Sequence, residues 1–161
     1  MAEKEAVYLR DGEKEVIVET FLIDIEPMGA VRTTAKGKFT DRAKKYHAWM
    51  KSVQWLWKAA LMKAGHDSAM YIGNEIIKIE FGLSIPNPET KSLTKVEKMH
   101  REALVGKPHM QKPDWDNLCK AFIDAVCYGG DDSHIHTVGQ IKKVWAPYQK
   151  GYIKITCTLT V

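Results

Sequence analysis

The stretch from Lys112 to Val126 constrains the fold more than any other part of the chain. Its apolar residues recur at every fourth position, as they do on one face of a helix. They are Leu118, Phe122 and Val126. Asp114 and Asp116 stand at the beginning of this pattern, and Lys120 follows Asp116 by one helical turn. The sequence therefore predicts a helix with carboxylates gathered at its start.

Carboxylates held this close together repel one another, so a fold that assembles them needs a cation, a proton or a basic partner. Magnesium is the natural candidate, because it prefers oxygen ligands and is often bound by one or two carboxylates together with phosphate oxygens. Such an ion can polarise a phosphodiester and activate water. A nearby ammonium, here Lys120, can stabilise the charge that develops or assist the attacking water.

A purely structural interpretation of the same residues is also open. Asp is a favoured helix cap, and Asp116, Lys120 and Asp124 have the spacing of a solvated salt-bridge ladder. The pair Asp131-Asp132 follows two glycines and could belong to an ordinary turn. Each element alone is weak evidence for catalysis, whereas the combination is much more specific.

The run KPDWDNLCKAFIDAV, followed by GGDDSHI and a strand, resembles the RusA family of Holliday-junction resolvases. The family motif is a D-x-D-N-L-x-K helix start followed by a D-D pair. The resemblance is dense from Lys112 to about Lys143 and looser upstream, around Pro27 and Arg32. It implies that Asp114, Asp116 and Asp132 bind metal and that Lys120 is the catalytic lysine. It assigns no role to Asp131.

The resemblance also implies a magnesium-dependent endodeoxyribonuclease, with Mg²⁺ as cofactor, that resolves four-way DNA junctions by paired symmetric nicks in recombination and repair. A homodimer is expected, because one chain offers one metal site and a two-fold dimer matches a two-fold substrate. A non-catalytic protein that binds branched DNA is the alternative. D-x-D motifs also serve glycosyltransferases that act on metal-bound nucleotide sugars. This chain is short for such an enzyme, and its basic segments favour a polymeric phosphate.

Two basic segments precede the acidic stretch. Residues 31–51 hold seven Lys and Arg against one Asp, and residues 91–112 hold six against two Glu. Basic surface beside a metal site can hold phosphates and direct one towards the metal. The residues that we expect to contact DNA are Arg32, Lys36, Lys38, Lys44, Lys107 and Lys112. The segment 106–109 is predicted to be a mobile loop, with His109 contacting phosphate or solvent.

Composition narrows the class of protein further. The chain has 161 residues, 45% of them hydrophobic, which suits one domain spanning residues 1–161. No apolar run is long enough for a membrane span and the amino terminus lacks a secretory core, so we expect a cytoplasmic protein. The chain has three cysteines, and this odd number argues against a disulfide framework. His134 and His136 invite a zinc interpretation, but no third ligand stands at a suitable spacing.

Hydrophobic periodicity predicts the remaining elements. An Asp11-Gly12 hairpin should join strands at 6–10 and 15–25, and a helix should run over 41–64. A strand over 77–85 should bury Ile77, Ile79, Phe81, Leu83 and Ile85. A capping box at Thr94 should start a short helix, and strands should cover 137–146 and 153–161. Trp49, Trp55 and Trp57 are interpreted as core or subunit contacts.

These elements predict a fold of the α+β class. Helices should pack on one face of a mixed or antiparallel sheet, as the RusA resemblance also implies. After the motif helix, the turn at 128–130 should bring Asp132 back towards Asp116.

Overall fold

The computed structural model describes residues 16–32, 40–127 and 132–160. In chain order its elements are β1 (Ile17–Ile23), α1 (Asp41–Lys63), β2 (Tyr71–Ser84), α2 (Lys95–Glu102), α3 (Trp115–Val126), β3 (Thr137–Ala146) and β4 (Tyr152–Thr160). The predicted strand at 6–10, the Asp11-Gly12 turn, and the residues Lys36, Lys38 and Asp131 lie outside the described part.

The four described strands form one mixed sheet in the order β1-β4-β2-β3. β4 is antiparallel to both β1 and β2, whereas β2 and β3 are parallel. A parallel pair requires a long crossover connection, and this one contains α2 and α3. The predicted α+β class with a mixed sheet is thus confirmed, and the start of α3 belongs to the crossover.

α1 packs on the sheet through the face that its periodicity predicts. All six residues of the predicted stripe are buried: Ala43, Tyr46, Met50, Val53, Trp57 and Leu61. Thr40 caps the helix by accepting a hydrogen bond from the amide of Ala43 at 3.2 Å. Trp49 and Trp57 are buried as interpreted, but Trp55 is 76% exposed and is not a core residue.

α3 packs beside α1 over the same core. Phe122 is fully buried and meets the ring of Trp57 edge to face, with 6.4 Å between the ring centroids. Leu118 is also buried, while Val126 is partly buried against the same cluster. This packing leaves the residues at the beginning of α3 at the surface.

The predicted alternation in β2 is wrong at Ile77. Ile77 is 38% exposed, whereas Ile76 and Ile79 are fully buried. The register between β2 and β4 shifts between Ile76 and Lys78, as a β-bulge does, so the alternation of faces is interrupted there. The remaining predicted residues, from Ile79 to Ile85, are buried as expected.

α2 differs from the other two helices because it buries none of its residues. Its capping box is present: Thr94 accepts a hydrogen bond from the amide of Glu97, and the Glu97 carboxylate accepts one from the amide of Thr94. The hydrogen bonds to Thr94 hold the pKa of Glu97 below its usual range. None of the described helices is long and apolar enough to cross a membrane.

Candidate active site

Asp114 occupies the N-cap position of α3 without capping the helix through its side chain. Its backbone carbonyl accepts the first helical hydrogen bond, from the amide of Leu118 at 3.1 Å, but its carboxylate makes no cap hydrogen bond. The carboxylate instead lies 2.5 Å from the ammonium of Lys112 and is 57% exposed. The cap interpretation therefore holds for the backbone of Asp114 only, and its carboxylate remains accessible from solvent.

Asp116 and Lys120 are exposed on α3 and form no salt-bridge ladder. Among the described residues, the ion pairs within 4.0 Å join His66 to Glu19 and Lys112 to Asp114. The positive end of the helix dipole favours negative charge at the position of Asp116, in the first turn. Asp116 thus presents a carboxylate next to Asp114 that no described basic side chain neutralises.

Asp132 lies near the later turns of α3. Burial raises the pKa of Asp124, the charge of Asp132 adds to this effect, and Lys120 opposes it. Burial and then the charges of Asp132 and Asp124 raise the pKa of Cys127 to about 11. The charge of Asp132 thus raises the pKa of both Asp124 and Cys127.

Within the described ranges, no three His, Cys, Asp or Glu side chains are arranged closely enough to hold a metal ion. A ligand set of Asp114, Asp116 and Asp132 therefore stays a prediction. The donor chemistry at the helix start does fit magnesium, because the accessible groups are carboxylate oxygens. The nearby sulfur atom does not contribute: Cys119 is buried, and burial together with the charge of Asp116 raises its pKa to about 11.

The segment after β1 is fastened to the start of α3. The amide of Ala30 donates a hydrogen bond to the carbonyl of Asn117 at 3.3 Å. Gly29 approaches the same residue so closely that a Cβ atom placed there would lie 2.6 Å from the amide nitrogen of the Asn117 side chain and 3.1 Å from Cβ of Pro113. Arg32 stands two residues after Ala30 and is exposed.

Residues 106–109 pair with β3 rather than forming the predicted mobile loop. The amide of Gly106 donates to the carbonyl of Trp145, and the amide of His109 donates to the carbonyl of Lys143, at 2.8 and 3.0 Å. His109 is only 6% exposed, with its ring centroid 4.1 Å from that of Trp145. The expectation that His109 contacts phosphate or solvent is therefore wrong, because tertiary pairing buries it. Burial, and after it the charge of Lys143, lowers its pKa.

Lys143 reaches from β3 to the chain just before Asp114. Its ammonium donates hydrogen bonds to the carbonyl of Gln111 at 2.7 Å and to that of Pro113 at 2.6 Å. Neither Lys143 nor Gly29 was singled out from the sequence. The detectable signal for Lys143 is that it alternates with Ile141 and Trp145 on one side of a predicted strand, where a charged residue is unexpected.

The residues predicted to contact DNA divide into three groups. Arg32, Lys107 and Lys112 are exposed on segments that contact the start of α3 or pair with β3 close to it. Lys44 is exposed near the beginning of α1. Lys36 and Lys38 lie outside the described residues.

The two histidines considered for zinc have other partners. A ring nitrogen of His134 lies 2.8 Å from the carbonyl oxygen of Ile72, and one of His136 lies 2.8 Å from the hydroxyl of Thr137. All three cysteines are free, as predicted, and Cys119 and Cys157 are buried.

Accessible carboxylates at a helix start, next to exposed Lys and Arg, have the chemistry expected of an enzyme that cleaves the phosphodiester bonds of nucleic acids. The family model described as endodeoxyribonuclease RusA matches residues 24–156, which is most of the chain. The protein belongs to the RusA endodeoxyribonuclease family. It is accordingly a Holliday-junction resolvase with branched DNA as substrate, and enzymes of this family depend on metal ions. No curated protein matches the chain.

Proposed function

We propose that this resolvase uses Mg²⁺ and cuts a four-way junction by paired symmetric nicks. The proposal rests on the accessibility of the Asp114 and Asp116 carboxylates at the start of α3. The Asp114 carboxylate does not cap the helix and is paired only with the exposed Lys112, and Asp116 has no described ion-pair partner, so both carboxylates are accessible to a cation. Oxygen donors of this kind, completed by phosphate oxygens and water, suit magnesium better than a softer metal.

In this proposal Asp114, Asp116 and Asp132 would hold the ion. Bound there, magnesium would polarise the phosphoryl group and lower the pKa of water. Lys120, one turn after Asp116 on the same helix, would stabilise the negative charge that builds up on the phosphate oxygens during attack by water. Asp131 and Asp124 receive no catalytic role.

Substrate binding is assigned to the basic residues around the carboxylates. Arg32, Lys107 and Lys112 are exposed and would contact backbone phosphates on either side of the cut. Lys36, Lys38 and Lys44 belong to the basic segment 31–51, as Arg32 does, and would extend this contact along the duplex. These amines also offset the repulsion between the acidic site and DNA.

A homodimer completes the proposal. Each chain supplies one set of carboxylates, while resolution of a junction requires two cuts related by two-fold symmetry. The enzyme would act in recombination and repair in the cytoplasm. Exposed apolar residues such as Trp55, which is 76% exposed, are candidates for the subunit contact.

The test is cleavage of synthetic four-way, forked and linear duplexes, each with and without magnesium. We expect symmetric nicks in the four-way junction that depend on magnesium, and much slower cleavage of linear duplex. Binding of the junction without cleavage at any magnesium concentration would instead identify a protein that binds branched DNA without cutting it. Equal cleavage of all three substrates would contradict junction selectivity.

A further inference from the structure

Lys143 is a half-buried lysine on the side of β3 that faces the core. It stands between Ile141, which is partly buried against the core, and Trp145, which is 8% exposed. Its neighbour Lys142 points to the opposite face of the sheet and is exposed. Burying part of a lysine is unfavourable unless its ammonium has partners. The position of Lys143 therefore requires an explanation.

The partners of this ammonium are two backbone carbonyls of one loop, those of Gln111 and Pro113, at 2.7 and 2.6 Å. Within the described residues, no carboxylate lies within ion-pair distance of Lys143. Hydrogen bonds from a charged donor are short and roughly twice as strong as neutral ones. Lys143 thus holds a loop in place rather than neutralising an acid.

The loop that Lys143 holds leads directly into Asp114 and Asp116, the carboxylates proposed to bind metal. Backbone pairing between this segment and β3 ends at His109, whose amide donates to the carbonyl of Lys143 at 3.0 Å. Beyond that point the side chain of Lys143 continues the attachment, up to the peptide that joins Pro113 to Asp114. The same lysine therefore holds the loop twice, by its backbone and by its side chain.

We propose that Lys143 is a positioning residue that fixes Asp114 and Asp116 for metal binding without touching substrate or metal. The inference rests on the proposed function of these two carboxylates. Groups that orient metal ligands from behind typically contribute 10–100-fold to metal affinity or activity. Without this ammonium, the loop would keep its backbone pairing up to His109 but lose its attachment next to Asp114.

The test compares Lys143→Met with Lys142→Met, a matched control that removes the same charge from the adjacent, exposed position. The first measurement is amide hydrogen exchange of residues 110–118 in the metal-free protein, which reports local opening. We expect faster exchange in this segment for Lys143→Met alone, with β2 and β4 unchanged. This measurement does not depend on catalysis.

The second measurement is the magnesium concentration that gives half-maximal junction cleavage. It should rise roughly tenfold or more in Lys143→Met, while metal-free junction binding stays within about twofold of the Lys142→Met value, since no phosphate contact is lost. Lys143→Arg, whose guanidinium can also donate to two carbonyls, should restore most of the magnesium affinity.

Three results would overturn the proposal. In the first, Lys143→Met matches Lys142→Met in both exchange and magnesium requirement. In the second, it loses junction binding as much as cleavage, which would make Lys143 a DNA contact. In the third, it no longer unfolds cooperatively, which would make its role global. If the wild-type protein cleaves no junction, the proposed function fails, but the exchange data still decide whether Lys143 holds the loop.

Discussion

The ammonium of Lys112 lies 2.5 Å from Oδ2 of Asp114, and the two side chains are 83% and 57% exposed. A pair this accessible to water contributes little to stability, typically 0 to about 1 kcal/mol. The pair matters instead for DNA binding. Lys112 stands two residues before Asp114, a proposed metal ligand, and its ammonium can exchange the Asp114 carboxylate for a DNA phosphate.

We therefore expect Lys112→Gln to weaken junction binding while leaving the protein folded. The free energy of unfolding should change by less than about 1 kcal/mol. The slope of log binding constant against log salt should fall by about one, because one phosphate contact is lost. Lys154→Gln is the control, since Lys154 is exposed on β4 between the buried residues Ile153 and Ile155. Equal salt slopes in the two variants would rule out a phosphate contact by Lys112.

Asp116→Asn should abolish cleavage and leave junction binding intact or tighter. The amide keeps the size of the side chain but removes a negative charge that both holds the cation and repels DNA. Gel-shift affinity without metal and single-turnover cleavage with magnesium measure the two effects. Asp67→Asn is the control, because its remaining oxygen can still accept the hydrogen bond from the amide of Ala69 at 2.8 Å. Near-normal cleavage by Asp116→Asn would refute the assignment.

Asp124→Asn should stabilise the protein at neutral pH. Burial, reinforced by the charge of Asp132, raises the pKa of Asp124 above its ordinary value of 3.8. Such an acid binds its proton more tightly in the folded protein than in the unfolded chain. The free energy of unfolding therefore falls as the pH rises from the unfolded-state pKa through the folded-state pKa. The advantage of the Asn variant should therefore be present near pH 7 and vanish below pH 3.8.

Urea unfolding across this pH range measures the effect, and junction cleavage by the same variant is the second reading. Because Asp124 has no catalytic role in the proposed mechanism, cleavage should persist. A variant that is more stable but inactive would place Asp124 among the metal ligands instead. A variant that is less stable at neutral pH would contradict the electrostatic account.

Gly29→Ala should disturb the start of α3 through a direct clash. The new Cβ would lie 2.6 Å from the side-chain nitrogen of Asn117, so one of the two must move. We expect a loss of about 1–3 kcal/mol in the free energy of unfolding and slower cleavage. Asn117→Ala in the same chain removes the atom that clashes, so the double variant should lose less stability than the two single variants together. Additive losses would show that Gly29 and Asn117 do not interact.

Much of the fold follows from local patterns. The apolar stripe of α1 predicts the buried face of that helix, and the capping box at Thr94 predicts where α2 begins. The strand over Thr137–Ala146 has the predicted limits. These predictions succeed because helix periodicity, side-chain caps and strand alternation depend on residues that are near one another in sequence. Ile77 fails because a bulge depends on how β2 pairs with β4, far along the chain.

The candidate site was likewise predictable only in part, because some of its features depend on contacts between distant segments. The spacing of Asp114, Asp116 and Lys120, together with the resemblance, identifies the family before any coordinates are considered, and the match over residues 24–156 confirms it. His109 is misjudged because a Gly-Lys-Pro-His segment has the composition of a loop, yet it pairs with β3. The attachments by Lys143 and Gly29 join residues about thirty and ninety positions distant from their partners.

By itself, the amino-acid sequence determined the chemistry of this protein: which acids and amines stand on which turn of α3, and to which family of nucleases they belong. Only the tertiary structure decided that Asp114 leaves its carboxylate uncommitted to its own helix, that Asp132 acts electrostatically on Asp124, and that a lysine of β3 holds the loop before the site. The reason is physical. Residue type and helical spacing are local properties, whereas burial, like-charge repulsion and hydrogen bonding between distant segments exist only after the chain has folded.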